Sequence, residues 1–382
     1  MVSGLRVERR HDVEAFQALR NDWNHLVAQS ERPTVFLSWE WLYAWWTHFG
    51  NGMTLHLHVV RDSRGAVVGI GPFCIERVTG VWPARILRFL GTKVVGSDYL
   101  DILAAPGLEG EVSAAILQGL RESRAAWDIA ELSDVLDSSL TLRFLSEGAR
   151  ASRYSLAVAV GEWCPYLPLA ETLEEYFVSI GRSKRSRLKR AKKAVEAIGC
   201  TYVTAESQEA LAPTLDVMFD LHERRWAARG LTGNMSHPSV RAFHHTLARL
   251  LGPGDRMRIY TLVREGKALA CDYVLHWGTT AYFYQTAYDT DPALEQYHPG
   301  YTLLANCIED CVARGAREFD FLRGREGYKE RWTSTARETR KLTLVRNEHG
   351  AAMARFRGEQ ALVWAKRKAK GLLSLGKRAC VA

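Results

Sequence analysis

The strongest constraint on the fold is that one order of secondary structure is written twice. At 54–60, Leu55, Leu57 and Val59 alternate with His56 and His58, and the turn Arg61-Asp62-Ser63-Arg64-Gly65 leads into a second extended run at 66–76. Strict alternation marks a half-buried strand, and a polar Gly-containing turn between two such runs makes a hairpin. About 200 residues later, runs at 256–264 and 267–277 flank Arg264-Glu265-Gly266, and a third antiparallel strand covers 280–288. In the first half, extended segments near 85–91 and 99–104 precede a helix at about 109–126 and a strand at 127–132. In the second, a helix from about Pro299 to Arg314 precedes the strand Glu318-Phe319-Asp320-Phe321. A helix with Val13, Phe16, Leu19, Trp23, Leu26 and Val27 opens the chain at 12–28, and a Trp-rich helix follows Ser38. The second half adds helices at about 171–180, 183–198, 207–229 and 237–251 and a strand near 200–205. The order predicts a duplicated α/β (α+β) unit, over 1–160 and 161–348, with a basic amphipathic tail at 349–382.

Several classes of protein are excluded early. No window holds ~18 consecutive apolar residues, the length of a membrane-spanning helix. The first residues, Met1 to Glu8, carry no apolar run of a secretory signal. Seven scattered cysteines without CxxC spacing predict reduced thiols in a cytoplasm rather than a disulfide framework or a zinc site. HExxH, GxSxG, GxxxxGK[ST] and the dinucleotide fingerprint are all missing, which disfavours zinc hydrolysis, α/β-hydrolase chemistry, P-loop NTPases and nicotinamide or flavin binding.

Charge is concentrated in two strips. Arg182 to Lys193 holds eight basic residues and no acidic one, and Arg355 to Arg378 holds eight more against the single Glu359. Since the whole chain is only +8, the remainder is acidic. Such strips suit a phosphorylated ligand, nucleic acid or an anionic membrane. Leu188, Ala191, Val195 and Ile198 give the first strip a packed face, and Leu362, Val363, Trp364, Leu372 and Leu373 make the tail a candidate membrane-surface helix.

Two stretches carry chemistry. Tyr297-His298-Pro299-Gly300-Tyr301-Thr302 opens a helix whose free amides and dipole can hold a pyrophosphate, although Pro-Gly is equally an ordinary helix start. Phe319 to Trp332 ends a strand in a Gly-containing turn that presents Tyr328 and Lys329. There Tyr328 can give a proton to a leaving group and Lys329 can face a developing oxyanion; the plain alternative is a solvated surface turn. In the first half Asp98 and Asp101 flank Tyr99 on a segment expected to be extended, where spacing of three turns them to opposite faces.

Together with Phe36-Leu37-Ser38-Trp39-Glu40-Trp41, Ser183 to Lys193, Leu221-His222-Glu223-Arg224-Arg225-Trp226 and Phe319-Asp320-Phe321-Leu322-Arg323-Gly324, these motifs resemble the CelD/BioF2-like acyltransferases of the GNAT superfamily, relatives of the FemAB peptidyltransferases. The resemblance spans about residues 10–345. It implies two tandem GNAT-like domains, each a mixed, mostly antiparallel sheet flanked by helices. It implies acyl transfer from acetyl-CoA or another acyl-CoA to an amine, on an amino sugar or polysaccharide precursor of exopolysaccharide synthesis, in a cytoplasmic protein that can sit at the inner membrane. His298, Gly300, Tyr301 and Thr302 would hold the cofactor. Asp98, Tyr328 and Lys329 would be catalytic, Asp98 orienting or deprotonating the amine. Tyr99, Asp101, Arg225, Trp226, Asp320 and Arg323 would contact substrate, and no metal is expected. The resemblance also carries two rivals: aminoacyl-tRNA as donor, as in the FemAB relatives, and a non-catalytic effector that binds cyclic di-GMP. One departure from the GNAT pattern is that Gln296 to Gly300 keeps a single glycine of its pyrophosphate loop.

Overall fold

The computed structural model describes residues 4–80, 82–151, 154–346, 350 and 352–358. Its strands are β1 (Arg6–Arg10), β2 (Met53–Arg61), β3 (Val67–Val78), β4 (Ala84–Phe89), β5 (Leu103–Ala104), β6 (Ile129–Leu136) and β7 (Tyr154–Pro168). They continue as β8 (Cys200–Ala205), β9 (Met257–Arg264), β10 (Lys267–Trp277), β11 (Thr280–Tyr288), β12 (Glu318–Asp320) and β13 (Ala336–Arg346). All join one sheet in the order β1-β2-β3-β4-β6-β13-β7-β12-β11-β10-β9-β8, with β5 on β3.

The duplication is visible in the ladders. The series β2-β3-β4 is antiparallel and β4 pairs β6 in parallel; likewise β9-β10-β11 is antiparallel and β11 pairs β12 in parallel. A parallel pair needs a crossover, supplied by helix Glu109–Glu122 in one half and helix Pro299–Ala313 in the other. The centre of the sheet interlocks the halves. Strand β13 follows β12 in the chain yet pairs with β6 and β7, while Tyr166, Leu167 and Pro168 of β7 pair with β12. The expected boundary at 160/161 therefore falls inside one continuous strand. Separate 1–160 and 161–348 fragments should each leave an unpaired central edge, a template for aggregation. Circular dichroism should find neither cooperatively folded alone; a cooperative unfolding transition in either would contradict this interlock.

A second tie is the Trp-rich helix Trp39–Phe49, which packs on helix Pro238–Leu251 of the other half with Trp41 and Phe243 rings 5.0 Å apart. Its neighbourhood buries Trp23, Trp41 and Trp45. Indole N–H groups need partners when buried, and Trp23 donates to the Leu37 carbonyl at 2.8 Å and Trp41 to Ser97 Oγ at 2.8 Å.

Three local expectations need correction. The helix at 12–28 is two, Val13–Ala18 and Arg20–Gln29, divided at Leu19. The helix at 109–126 ends at Glu122, where Ser123 caps it. The segment 97–101 is a loop rather than a strand, because Tyr99 sits at φ +59°, outside extended space for an L-residue. Such strain costs about 1–3 kcal/mol and persists only where neighbours impose it. Here Ser97 Oγ donates to the Gly91 carbonyl at 2.7 Å, and the Leu100 amide donates to the Asp134 carbonyl at 3.1 Å. The predicted tail falls largely outside the described residues. Among those described, no helix is long and apolar enough to cross a membrane.

Candidate active site

A cleft forms where two parallel strands part. The strands β11 and β12 pair only through Thr280, Ala281 and Tyr282 on one side and Glu318, Phe319 and Asp320 on the other. Strand β11 runs on to Tyr288, whereas the chain beyond Asp320 is drawn onto β7 by Phe321 N–H to the Pro165 carbonyl and Gly324 N–H to the Trp163 carbonyl, both 2.9 Å. Leu322 makes that bend at φ +56°. Below the gap stands the N-terminus of helix Pro299–Ala313, entered through His298 at φ +47°.

The resulting cleft, about 440 Å³, is lined among others by Arg225, Arg229, Tyr288, Tyr301, Tyr328 and Arg331. Of the expected cofactor residues, His298, Gly300 and Tyr301 line it. Thr302 does not: it is buried, and its hydroxyl donates to the His298 carbonyl at 3.0 Å, fixing the left-handed helix start. A Cβ at Gly300 would lie 3.3 Å from Tyr288 Cδ1, so this position keeps the cleft wall open. Arg225 stacks 4.0 Å over the Tyr288 ring and donates to the Thr286 carbonyl at 3.3 Å. Its Nε and the Tyr301 hydroxyl are buried without hydrogen-bond partners among the described residues. Burial lowers the Arg225 pKa and raises that of Tyr328, keeping the phenol protonated at neutral pH. Trp226 lies apart from the lining, its indole N–H directed to His222 Nε2 at 2.9 Å.

Behind the bend, the halves meet in a buried ionic network. Arg323 bonds Asp98 at 2.7 Å and Asp134 at 3.0 Å, and donates to the Ser97 carbonyl. Burial raises Asp98 to about 6 although Arg323 opposes it. Lys329 is buried, and its Nζ donates to the Arg323 carbonyl at 2.7 Å and the Leu322 carbonyl at 3.3 Å while pairing with Glu326 at 2.9 Å. Thus Asp98, Arg323 and Lys329 are brought together, with the lysine clasping the 322–329 turn. Asp320, next along, accepts from Tyr99 Oη at 2.8 Å, Arg337 Nη1 at 2.9 Å and the Leu322 amide at 2.8 Å. Burial carries it to about 7, with Arg337 pulling the other way. Asp101 belongs elsewhere: it accepts from Ser139 and Thr141 and lines a small separate pocket, and burial raises it to about 6.

Sequence reasoning missed Arg229, Tyr288, Asp134 and Arg337, and gave Arg331, behind the Tyr328-Lys329 pair, no role. None lies in a spacing that carries chemistry, and only the parting of the strands and the crossing of β13 bring them in. Among the described residues, no group of three or more His, Cys, Asp and Glu is placed to hold a metal ion.

Residues 182–330 match a family model described as an acetyltransferase (GNAT) domain. FemX is similar in fold over 87% of this chain and 96% of its own, with TM-score 0.60 and 12% identity. A conserved protein of unknown function from Bacteroides thetaiotaomicron aligns over 89% of this chain and 100% of its own, with TM-score 0.53 and 11% identity. The C-terminal DUF2156 domain of a protein from Agrobacterium fabrum, described as a lysylphosphatidylglycerol synthetase, covers 89% of this chain and 96% of its own at TM-score 0.51 and 11% identity. No curated protein sequence matches the chain. Residues 182–330 thus match an acetyltransferase (GNAT) domain, inside a chain whose fold is similar to that of FemX.

Proposed function

We propose that the protein moves an acyl group from a coenzyme A thioester, acetyl-CoA first among them, to an amine of a sugar or cell-envelope precursor such as those of exopolysaccharide synthesis. The observation that carries this reading is the cleft at the start of helix Pro299–Ala313. It combines a helix N-terminus, three arginines and two buried polar atoms that lack partners among the described residues. Helix amides and guanidinium groups are the donors that suit a pyrophosphate, and Tyr288, Tyr301 and Trp332 supply apolar walls. A bound thioester would supply an activated acyl carbon at the parting of β11 and β12.

Within this reading Arg225 and the helix start hold phosphate, and Tyr328 in the cleft wall donates a proton toward the leaving group. Asp98 and Lys329 shape the 322–329 turn, whose Tyr328 lines the cleft, so their effect on turnover runs through that turn. Purified protein with acetyl-CoA and a set of amino sugars should release thiol only when an acceptor is present. Lys329→Ala should lose most of that rate. An unchanged rate in this variant would remove the lysine from the account.

A second reading has one observation of its own. The exposed basic helix Gly181–Ala197 reaches the cleft rim, where Lys184 Nζ donates to the Arg331 carbonyl at 2.9 Å and lies 4.6 Å over Trp332. That track would suit an aminoacyl-tRNA donor, whose affinity would fall steeply with salt. Cyclic di-GMP, tested beside acetyl-CoA, separates the non-catalytic effector from both.

A further inference from the structure

Helix Gly181–Ala197 carries Arg182, Lys184, Arg185, Arg187, Lys189, Arg190, Lys192 and Lys193, and its single acid is Glu196. Leu188 and Val195 are buried and so define the face that packs on the protein. At about 3.6 residues per turn, Arg182, Lys189 and Lys193 stand on the opposite side with Arg185 and Arg190 flanking them. All five are exposed. Two other cations serve the fold: Lys192 pairs with Glu309 at 2.6 Å, and Lys184 donates to the Arg331 carbonyl at 2.9 Å. Among the described residues, Lys192 is the one cation of this helix in an ion pair.

This arrangement works against the helix itself. Its first turn holds Arg182 and no acid, where the dipole favours anions. Arg185, Lys189 and Lys193 repeat like charge at a spacing of four, which is repulsive on a helix. A polyanion laid along the ridge relieves both, and two observations choose which kind. Single-stranded nucleic acid is gripped by aromatic faces on which bases stack. Three rings beside the helix already lie under its cations: Trp332 under Lys184 at 4.6 Å, Phe177 under Arg185 at 5.0 Å and Tyr202 under Lys192 at 6.0 Å. Val178, four residues before Arg182, is 72% exposed. An apolar side chain gains nothing from a phosphate backbone, whereas beside a basic ridge it can enter the boundary between headgroups and acyl chains.

We propose that the ridge of Arg182, Arg185, Lys189, Arg190 and Lys193, with Val178 beside it, docks the protein on an anionic lipid surface. Lys184, on the inner side of the same helix, contacts Arg331 and Trp332 of the cleft lining, so docking brings the cleft close to the headgroups. The docking stands whether or not that cleft receives an acyl-CoA.

The full chain is sedimented with vesicles of phosphatidylcholine, alone or mixed with phosphatidylglycerol. Wild type is compared with the triple variant Arg182→Gln/Lys189→Gln/Lys193→Gln and with Val178→Ser. Wild type should bind the mixed vesicles, leave the neutral ones, and be released as salt screens the surface. The triple variant should bind the mixed vesicles at least about tenfold more weakly, because each cation near such a surface contributes several-fold. Val178→Ser should weaken binding while keeping the salt dependence of wild type. These side chains are exposed, so thermal unfolding should be the same in all three proteins. Equal binding of wild type and the triple variant to the mixed vesicles overturns the assignment. Wild type that binds tRNA at the same salt but no vesicle also overturns it, in favour of a nucleic-acid track.

Discussion

Arg323→Ala is expected to lose about 3–5 kcal/mol of stability at pH 8, the range found when one partner of a buried ion pair is removed. Asp98 is fully buried and Asp134 mostly so, and Arg323 is the cation bonded to both. The same side chain also satisfies the Ser97 carbonyl in the loop that holds Tyr99 in its left-handed conformation. The loss should depend on pH with a defined sign. In wild type Asp98 titrates at about 6 when folded against an ordinary 3.8, so stability falls as pH rises from about 4 to 6. Without Arg323 the folded carboxyl titrates higher still, and the decline continues past pH 6. Asp98→Asn in the Arg323→Ala background removes the stranded charge and should recover part of the loss. Urea unfolding at pH 5 and pH 8 measures both. A loss below about 1 kcal/mol at pH 8 would mean the pair behaves as an exposed salt bridge.

Asp272→Asn is expected to act in the opposite direction and stabilise the protein. Asp272 of β10 is wholly buried, which carries its folded carboxyl to about 8 against an unfolded value near 3.8, so between those values the unfolded chain has released a proton that the folded chain retains. Stability is therefore lost progressively as pH rises through that window, by several kcal/mol and at most about 6. Asparagine keeps the shape without the ionisation. The gain should be near zero at pH 4, grow with pH and level off above pH 8. Thermal unfolding of both proteins at pH 4.5 and pH 8 checks it. An equal difference at the two pH values would show that Asp272 does not titrate in this way.

Much of the architecture was legible because hairpins announce themselves locally. The alternation in β2, β3, β9 and β10 and the turn residues between them place four strands within a residue or two of those observed. The helix start at Pro299 was legible for the same reason, since Pro and Gly act on their own backbone. The exchange of β7 and β13 was not, because strand pairing across nearly 180 residues leaves no mark in either segment alone. Tyr99 illustrates the other limit: its motif reads as extended, and Arg323, Trp41 and the Asp134 carbonyl, brought from other elements, help hold the loop around it in a strained form. Asp272 did carry a signal, a single acid inside an apolar strand, which alternation alone assigns to a face but not to a neighbour. Arg337 carried none: its contacts with Glu318 and Asp320 exist only because β13 crosses into the centre of the sheet.

The central claim is that the cleft at Pro299–Tyr301 receives the acyl donor, and the most direct measurement is calorimetric titration of wild type and Arg225→Ala with acetyl-CoA. Arg225 is the cation stacked inside the cleft with a donor to spare, and loss of a charge-assisted hydrogen bond of this kind costs about 1.5–3 kcal/mol. Wild type should bind with one site, and Arg225→Ala at least about tenfold more weakly with its fold intact by circular dichroism. Equal affinity in the two proteins, or no binding by wild type, would contradict the claim.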